Sequence, residues 1–494
     1  MNVSMVYLLL LPEIYFIFVV LFFLTYTTIV NLSKTYNFPN NTKNYLFFFI
    51  LSIINIMLLL FNYIHLGEFN ILQYVKKDTF IFFLQLITLF FTVLLSFLMY
   101  DYIKINKFNQ FELYVLFFFS ALSLCLLVTC NHMTSLYLIL ELQGFSFYIL
   151  TAYNKNNQYS VESGLKYYIL GSFSSILLLF GISLVYGFTG LLSFKEIEIF
   201  LNNFDYYINN VSIHLISASF IFILISFLFK LYAAPFHLWV SDIYQGAPMM
   251  VTAYFSSVPF ISVFFIFSKL LLNTFYVLNI IYSPIIIITI FSSLLLGTFG
   301  ALFQKKIKRL LAYSTVTSVG YFLTMFISNN FILINSVYTY IFLYSFSLLT
   351  LFSIFLQLYL NKKKLYVENI SLLSGYFYNN KFMSLLLLFI FFTLAGIPPF
   401  SLFIGKLFLL TSIANIQMYQ FLFLALLATI LSCFYYLKIV KIIYFNKIKN
   451  WNYYSQINFI PAFFISLFII LQFLFFINPS WIIIFFKYNI YSFI

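Results

Sequence analysis

Long apolar stretches separated by short polar breaks make up almost the whole chain of 494 residues. An α-helix needs roughly 20 predominantly apolar residues to cross a bilayer, and each stretch is about that long or longer. Division of the sequence at its polar breaks predicts about fourteen membrane-spanning helices and an all-α polytopic membrane protein. The predicted spans are residues 5–30, 45–65, 79–100, 112–130, 133–153, 163–189, 213–240, 249–273, 281–303, 309–328, 331–360, 382–415, 419–440 and 458–485.

Two of the predicted spans are interrupted. The seventh contains Lys230, Pro235 and His237, and the twelfth, which is too long for one straight crossing, contains Gly-Ile-Pro-Pro at 396–399 followed by Lys406. Proline inside a helix removes a backbone hydrogen bond, and a charge deep in a membrane helix costs several kcal/mol. We therefore expect helices seven and twelve to be discontinuous. We also expect Lys230 to be functional, the alternative being a lysine that extends to the lipid headgroups.

Basic residues are distributed unevenly between the loops on the two sides of the predicted membrane. With the N-terminus outside, 17 of the 25 basic residues fall in inner loops and 5 on the outer side, while Lys166, Lys230 and Lys406 lie in or at the edge of spans. The inner residues are Lys34, Lys43, Lys104, Lys107, Lys155, Lys305, Lys306, Lys308, Arg309, Lys362, Lys363, Lys364, Lys381, Lys438, Lys441, Lys447 and Lys449. The outer residues are Lys76, Lys77, Lys195, Lys269 and Lys487. This asymmetry predicts that both termini lie outside.

The composition agrees with a membrane protein and excludes several other classes. The chain is 64% hydrophobic and 7% charged, with a mean hydropathy of +1.03, whereas soluble domains carry about 25% charged residues. The net charge is +13, but with one arginine and no basic block the chain is not suited to nucleic acid. Lysines in short loops indicate contact with anionic lipid headgroups instead. The three cysteines have neither metal-site nor disulfide spacing.

Two groups of five spans have the same internal pattern. In spans four to eight and again in spans nine to thirteen, the fourth member is interrupted and carries a lysine. Because five is odd, the second group must be inverted relative to the first, as in transporter cores that bind ions near the bilayer midplane. We predict one transmembrane domain over 1–494. It comprises three helices in 1–110, a five-helix repeat in 111–273, an inverted repeat in 281–445 and a C-terminal helix in 446–494.

Glu141 is the candidate partner of Lys230. It lies close to the centre of span five, and these two residues are the acid and the base that lie deep in the first repeat. An isolated carboxyl group there would be protonated, but beside a lysine it can ionise. We expect the two residues to form a pair whose protons titrate together. The alternative is a neutral glutamic acid that fills a core position.

Three further sites carry titratable groups in or beside spans. Glu162 and Lys166 share a helix face at the start of span six, which fits a boundary ion pair or a proton entry point equally well. His237 follows Lys230 by seven residues and can relay a proton if the break at Pro235 is mild. A metal site is not expected there, because no second ligand stands at suitable spacing. Lys406 has no acid in its span, which suits a terminal proton-loading or release site.

No nucleotide-binding or redox motif occurs in the sequence, so energy for ion movement must come from a gradient or a partner. Seven segments carry a specific resemblance. They are Glu141–Leu150, Glu162–Ser172, Tyr186–Gly190, Phe229–Pro248, Lys306–Ser314, Val319–Tyr321 and Leu394–Lys406. Through these segments the chain resembles the chain 2 family of NADH:ubiquinone oxidoreductase. The members of that family are antiporter-like membrane subunits of respiratory complex I. The segments at Glu141 and Glu162 favour this family over the related chains 4 and 5.

The resemblance implies fourteen helices in two inverted units and a proton path through four residues in helices five, seven, eight and twelve. Glu141, Lys230 and Lys406 match three of these. The fourth does not match, since Phe260 stands where the lysine of helix eight is expected, and Ser318 stands where many relatives have histidine. Either waters bridge this gap or proton transfer is impaired. The residues expected to hold such waters are Ser256, Ser257, Thr315, Thr317 and Ser318.

By the same resemblance, the chain would be a proton-translocating subunit in the mitochondrial inner membrane, with both termini in the intermembrane space. It would carry no cofactor itself, while FMN, Fe–S clusters and ubiquinone would belong to partner subunits. Its partners would be neighbouring membrane-arm chains and lipids, with cardiolipin a candidate, rather than copies of itself or nucleic acid. Two alternatives stay open: a cation/proton antiporter subunit without redox partners, and a structural subunit whose proton transfer is impaired.

Overall fold

The computed structural model describes residues 3–32, 42–63, 69–71, 73–106, 108, 111–203, 210–328, 330–360, 365–446 and 458–490. These residues form twenty α-helices and two short antiparallel hairpins. The helices are α1 Val3–Leu32, α2 Thr42–Tyr63, α3 Thr79–Ile105, α4 Glu112–Thr129, α5 Met133–Thr151, α6 Gln158–Thr189, α7 Phe194–Asn202, α8 Asn210–Lys230, α9 Leu238–Gly246, α10 Met249–Ser257, α11 Pro259–Lys269, α12 Asn279–Leu302, α13 Ile307–Leu323, α14 Phe331–Gln357, α15 Tyr376–Asn379, α16 Lys381–Ala395, α17 Ser401–Asn415, α18 Tyr419–Tyr444, α19 Phe459–Ile477 and α20 Ser480–Ile490. The hairpins are β1 Phe69–Ile71 with β2 Val75–Lys77, and β3 Tyr359–Leu360 with β4 Leu365–Tyr366.

The predicted all-α polytopic architecture is confirmed. Within the described ranges, twelve helical stretches are long and apolar enough to cross a membrane. The shorter apolar helices α8, α16 and α17 lie where the interrupted seventh and twelfth spans were predicted. A count of fourteen results if each interrupted pair is one crossing, so that number and the inverted repeat stay predictions.

The first break follows Lys230, at which α8 ends, and α9 begins only at Leu238. The intervening segment turns sharply at Tyr232, whose φ is 65°. A helix end inside a membrane leaves carbonyl groups that need a donor. One of the carbonyls in this segment, that of Ala234, accepts a hydrogen bond from the Ser292 hydroxyl of α12 at 2.8 Å. The break therefore contacts the second half of the chain directly.

The second break separates α16 from α17 and depends on a glycine. Gly396 has a φ of 80°, a left-handed conformation that costs other residues about 1–2 kcal/mol. A Cβ at this position would also lie 2.9 Å from Cδ of Lys406. Gly396 is thus required both by the turn and by the lysine that packs over it.

A third interruption was not predicted. The eighth span is divided at Val258, which precedes Pro259, into α10 and α11, and a π-helical turn follows at Leu270–Thr274. This span and α14 form the centre of the bundle, since 94% of the residues in their most apolar windows are buried, against 33–39% for α5, α6 and α18. The serine and threonine hydroxyls of α14 donate to carbonyls of their own helix, so they can be buried without other partners.

The outer loop between the sixth and seventh spans contains more structure than expected. This loop, residues 191–211, includes α7, whose first turn is capped by the Ser193 hydroxyl, which accepts from the Glu196 N–H at 3.3 Å.

The predicted C-terminal helix of 446–494 is wrong as a single element, because Asn478 and Pro479 divide its described part into α19 and α20. Proline cannot continue the hydrogen-bond ladder of α19, and α20 instead packs on α3 and α14.

Three lysines that the sequence analysis assigned to loops are buried, and two of them, Lys269 and Lys308, lie in helices rather than in loops. Lys269 donates to the Cys130 carbonyl at the end of α4, and Lys308 donates to the Ala247 carbonyl at the end of α9, both at 2.6 Å. A helix C-terminus carries unsatisfied carbonyls and a partial negative charge, which compensates a buried ammonium group. The third, Lys77, forms an ion pair described below. Lys34, Lys107, Lys362, Lys363, Lys364, Lys447 and Lys449 lie outside the described residues.

Replacement of Gly396 by alanine should destabilise the protein by at least about 1–2 kcal/mol, because it adds left-handed strain and a clash with Lys406. The change is measurable as a lower midpoint of thermal denaturation in detergent. Gly187→Ala is the matched control, since a Cβ at that glycine meets no atom of this chain within 4 Å. Equal midpoints for the two variants would contradict this account of the second break.

Candidate functional site

Lys230, the last residue of α8, lines a partly open cavity of about 50 Å³. That space holds about three water molecules. Tyr167, Ser174 and Trp239 add polar groups to its wall, and the indole N–H of Trp239 has no hydrogen-bond partner among the described residues. The Lys230 amine likewise has no hydrogen bond or ion pair within the part of the chain that the structure describes. It is a half-buried base that faces a small cavity with a few polar groups in its wall.

Glu141 lies near this cavity but does not touch the lysine. Its carboxylate is within electrostatic range of Lys230 and of Tyr148, although no ion pair within 4.0 Å joins Glu141 to Lys230 in the described ranges. Tyr148 lines the cavity, and its ring fills the space that side chains at Gly144 and Gly171 would need. The sequence analysis missed Tyr148. The available signal was its position seven residues after Glu141, which places both on one helix face.

His237 is buried at the N-terminal end of α9 and does not line the Lys230 cavity. The break spans residues 231–237 rather than a single kinked turn, so the condition for a shared face with Lys230 is not met. The imidazole packs edge-on against Tyr313, with ring centroids 6.1 Å apart. Its Nδ1 has no hydrogen-bond partner among the described residues.

Lys406 is the sixth residue of α17 and therefore follows the break in its span, whereas Lys230 directly precedes the break in the seventh span. Its amine donates to the carbonyls of Leu394 and Ala395, each at 3.2 Å. These carbonyls belong to the last turn of α16, where a helix has no intrahelical donors left. Lys406 therefore satisfies the end of the preceding half-helix, whereas Lys230 has an unbound amine.

Glu162 and Lys166 belong to a larger charged group at one end of α6. They form an ion pair of 2.6 Å, Lys166 also contacts Asp242 at 3.2 Å, and Arg309 contacts Asp242 at 2.6 Å. Together they border a cavity of about 140 Å³. The side chains are 35–58% exposed, so these pairs contribute little stability. The sequence analysis did not single out Asp242 or Arg309, because the pairs join residues far apart in the chain.

Comparison with known proteins gives the family. The family model described as NADH:quinone oxidoreductase/Mrp antiporter, TM, matches residues 130–432, more than half of the chain. NADH-ubiquinone oxidoreductase chain 2 of Marchantia polymorpha is 32% identical over 475 residues, which cover 96% of each chain. The chain belongs to the chain 2 family of NADH:ubiquinone oxidoreductase. NADH-quinone oxidoreductase subunit N 1 of Rhizobium meliloti is 34% identical over 75% of this chain and 76% of its own.

A solved structure agrees with the fold of this family. A chain of respiratory complex I from Thermus thermophilus with bound aureothin superimposes with a TM-score of 0.77 and covers 96% of this chain and 98% of that one. At 20% identity the match concerns the fold. It extends through nearly the whole length and so includes both broken helices.

This member of the chain 2 family has an aromatic contact where the resemblance places the central lysine of helix eight. Phe260 is buried, lines the Lys230 cavity, and packs edge-on against Tyr232 at 5.4 Å and Phe322 at 6.1 Å. The hydroxyls of Ser256 and Ser257, expected to hold water, both donate to the Ala253 carbonyl. A route along helix eight therefore has no proton carrier at this point.

A buried charge pair of this family member was not predicted. Glu13 of α1 contacts Lys77 at 2.6 Å, and both side chains are nearly inaccessible, at 9% and 0%. Gln85 of α3 donates to Glu13 at 3.2 Å and to the Cys125 carbonyl of α4 at 3.1 Å. The pair thus joins α1, α3, α4 and the first hairpin. No group of three or more His, Cys, Asp or Glu suited to a metal ion occurs among the described residues.

Replacement of Glu13 by glutamine should destabilise the assembly by about 3–5 kcal/mol, because it removes the carboxylate that compensates the buried Lys77. The double variant Glu13→Gln/Lys77→Met should recover much of that loss, since it removes the charge as well. Thermal denaturation of the purified assembly measures both. A double variant no more stable than the single one would show that the charge pair is not the source of the loss.

Proposed function

We propose that this chain translocates protons as a core membrane subunit of NADH:ubiquinone oxidoreductase, with Glu141, Lys230 and Lys406 as proton carriers. The observation that supports this best is the Lys230 amine, which is unbound, faces a cavity of about 50 Å³ and lies within electrostatic range of Glu141. A buried lysine has a lowered proton affinity through desolvation and a raised one near a carboxylate. A small change in the distance between Lys230 and Glu141 therefore makes the lysine bind or release its proton.

The energy for this change comes from quinone reduction elsewhere in the complex. A movement that brings Glu141 closer to the cavity favours the charged lysine, and a movement away favours release of its proton toward Lys406. Lys406 receives that proton while its amine stays bound to the carbonyls that end α16. Tyr148, which lines the cavity and lies within electrostatic range of Glu141, is a positioning residue in this scheme.

Proton uptake is assigned to the charged group of Glu162, Lys166, Asp242 and Arg309. Its two carboxylates border an accessible cavity of about 140 Å³, and Asp242 lies on α9, the half-helix that begins after the Lys230 break. His237, at the N-terminal end of α9, is the next titratable side chain from Asp242 toward the break. Asp242 follows His237 by five residues, so the two lie about 7–8 Å apart along the helix axis, at 1.5 Å per residue.

The proposal also covers the partner subunits, the lipids and the location of the chain. FMN, Fe–S clusters and ubiquinone are held by partner subunits, and lipids, with cardiolipin a candidate, surround the exposed apolar faces. The location is the mitochondrial inner membrane with both termini in the intermembrane space.

This orientation predicts that an N-terminal protease-sensitive tag is cleaved in mitochondria with a ruptured outer membrane. Cleavage only in inverted inner-membrane vesicles would contradict this orientation.

Replacement of Lys230 by methionine should slow proton transfer through this subunit by on the order of 100-fold, because a positioned acid–base group is lost. The measurement is the number of protons translocated per NADH oxidised by the assembled complex in proteoliposomes. Lys438→Met, at an exposed lysine of α18, is the matched control and should leave the ratio unchanged.

A structural role without pumping is the alternative that one observation favours, namely the aromatic contact at Phe260. The same measurement separates the two. A Lys230→Met complex that translocates as many protons per NADH as the wild type would establish the structural role and overturn the proposed one.

A further inference from the structure

The two proposed carrier sites are separated by side chains that cannot carry protons along helix eight. Phe260 meets Phe322, and Phe322 meets Phe264 at 5.8 Å, so three phenyl rings occupy the direct route. All three are buried. A proton that leaves the Lys230 cavity must therefore pass to one side of these rings.

A buried group of hydroxyls lies beside them, between the cavity and Lys406. It combines tyrosines from three helices with serines and threonines from one face of α13, and we refer to it as the hydroxyl cluster. Its members are Tyr244 of α9, Ser314, Thr315, Thr317 and Ser318 of α13, Tyr344 of α14, and Tyr435 and Tyr436 of α18.

The cluster begins at the Lys230 cavity. Tyr232 lines that cavity, and its ring packs edge-on against the ring of Tyr244 at 6.3 Å. The Tyr244 hydroxyl faces the hydroxyl of Thr315 and lies within electrostatic range of Tyr344. The chain of hydroxyls thus passes from α9 to α13 and α14 without using helix eight.

The cluster continues to α18. The Tyr344 hydroxyl faces those of Ser314 and Ser318 and interacts with Tyr436. Tyr435 and Tyr436 have ring centroids 4.5 Å apart, and the Tyr435 hydroxyl faces Thr317. Every tyrosine in the cluster is 4% exposed or less.

Neighbours of the cluster's far end lie next to Lys406. Cys433, one helical turn before Tyr436 on α18, lies within electrostatic range of the Lys406 amine. On the other side, Tyr340 of α14 lies 3.2 Å from the position a Cβ would take at Gly405, the neighbour of Lys406. Lys406 is therefore in the same packed layer as the tyrosines.

Two hydroxyls in the cluster are free to bind a proton or a water. Those of Tyr244 and Tyr344 are buried without a hydrogen-bond partner of ordinary geometry among the described residues. The α13 hydroxyls donate to their own helix, Thr315 to the Ala312 carbonyl and Ser318 to the Thr315 carbonyl at 2.7 Å, which leaves their oxygens as acceptors. A buried hydroxyl left without a partner costs about 1–3 kcal/mol, so both positions favour a water or a proton donor beside them.

We propose that the hydroxyl cluster carries the proton from the Lys230 cavity to Lys406 in place of a residue at position 260, an inference that rests on the proposed function. Each hydroxyl accepts a proton from one neighbour as it releases its own to the next and stays neutral. The net change is that the ammonium of Lys230 becomes an amine and the amine of Lys406 becomes an ammonium. No electron moves, and water is the only co-reactant.

The test uses Tyr244→Phe/Tyr344→Phe in the assembled complex. Both changes keep the aromatic ring and remove only the hydroxyl, so the packing and the fold should be retained. Protons translocated per NADH in proteoliposomes should fall to the level of Lys230→Met. Tyr254→Phe is the control. Tyr254 is equally buried and does have a partner, Ser120, at 3.1 Å, so its loss should lower thermal stability but not pumping.

Addition of Phe260→Lys to the double tyrosine variant should restore pumping, because it supplies a carrier on the blocked route. Wild-type pumping by the double variant together with loss in Lys230→Met would overturn the hydroxyl route and leave the proposed function standing. Pumping lost in the double variant but not restored by Phe260→Lys would also overturn it. Wild-type pumping by Lys230→Met would overturn the proposed function itself.

Discussion

The structure depends on one constraint: inside a membrane bundle, neither a helix end nor an ammonium group can be left to hydrocarbon. Three lysines meet it by binding helix ends. Lys406 binds the last carbonyls of α16, and Lys269 and Lys308 bind the ends of α4 and α9. In each case the partial negative charge of a helix C-terminus offsets a buried cation. Lys230 is the exception, and its amine faces a cavity instead.

That exception separates Lys230 from the three lysines held at helix ends. An unbound amine next to water-sized space can gain and lose a proton without repacking, whereas Lys406, Lys269 and Lys308 are bound to carbonyl groups. The distant carboxylate of Glu141 completes this arrangement, because it biases the lysine without fixing it in an ion pair. The buried pair of Glu13 and Lys77 shows the contrast, since its short contact and the surrounding helices hold it in one state.

Much of this could be predicted from the sequence, and the failures have a common cause. Pro235 and the Gly-Ile-Pro-Pro segment predicted both breaks because backbone chemistry is local. The pair of Glu162 and Lys166 followed from helical spacing alone. In contrast, the burial of Lys308 depends on which helix end lies above it, and the role of Tyr148 depends on two glycines, one of them on another helix. Such contacts are set by tertiary packing, which the spacing of residues along the sequence does not reveal.

The central claim is that Lys230 changes its protonation state during turnover. Infrared difference spectroscopy of the assembled complex, labelled with ¹⁵N-lysine and compared with and without NADH and quinone, detects the N–H bending bands of ammonium groups directly. The account predicts an isotope-sensitive ammonium band that changes on turnover and is missing in Lys230→Met. Difference spectra with the same lysine bands in the wild type and in Lys230→Met would contradict it.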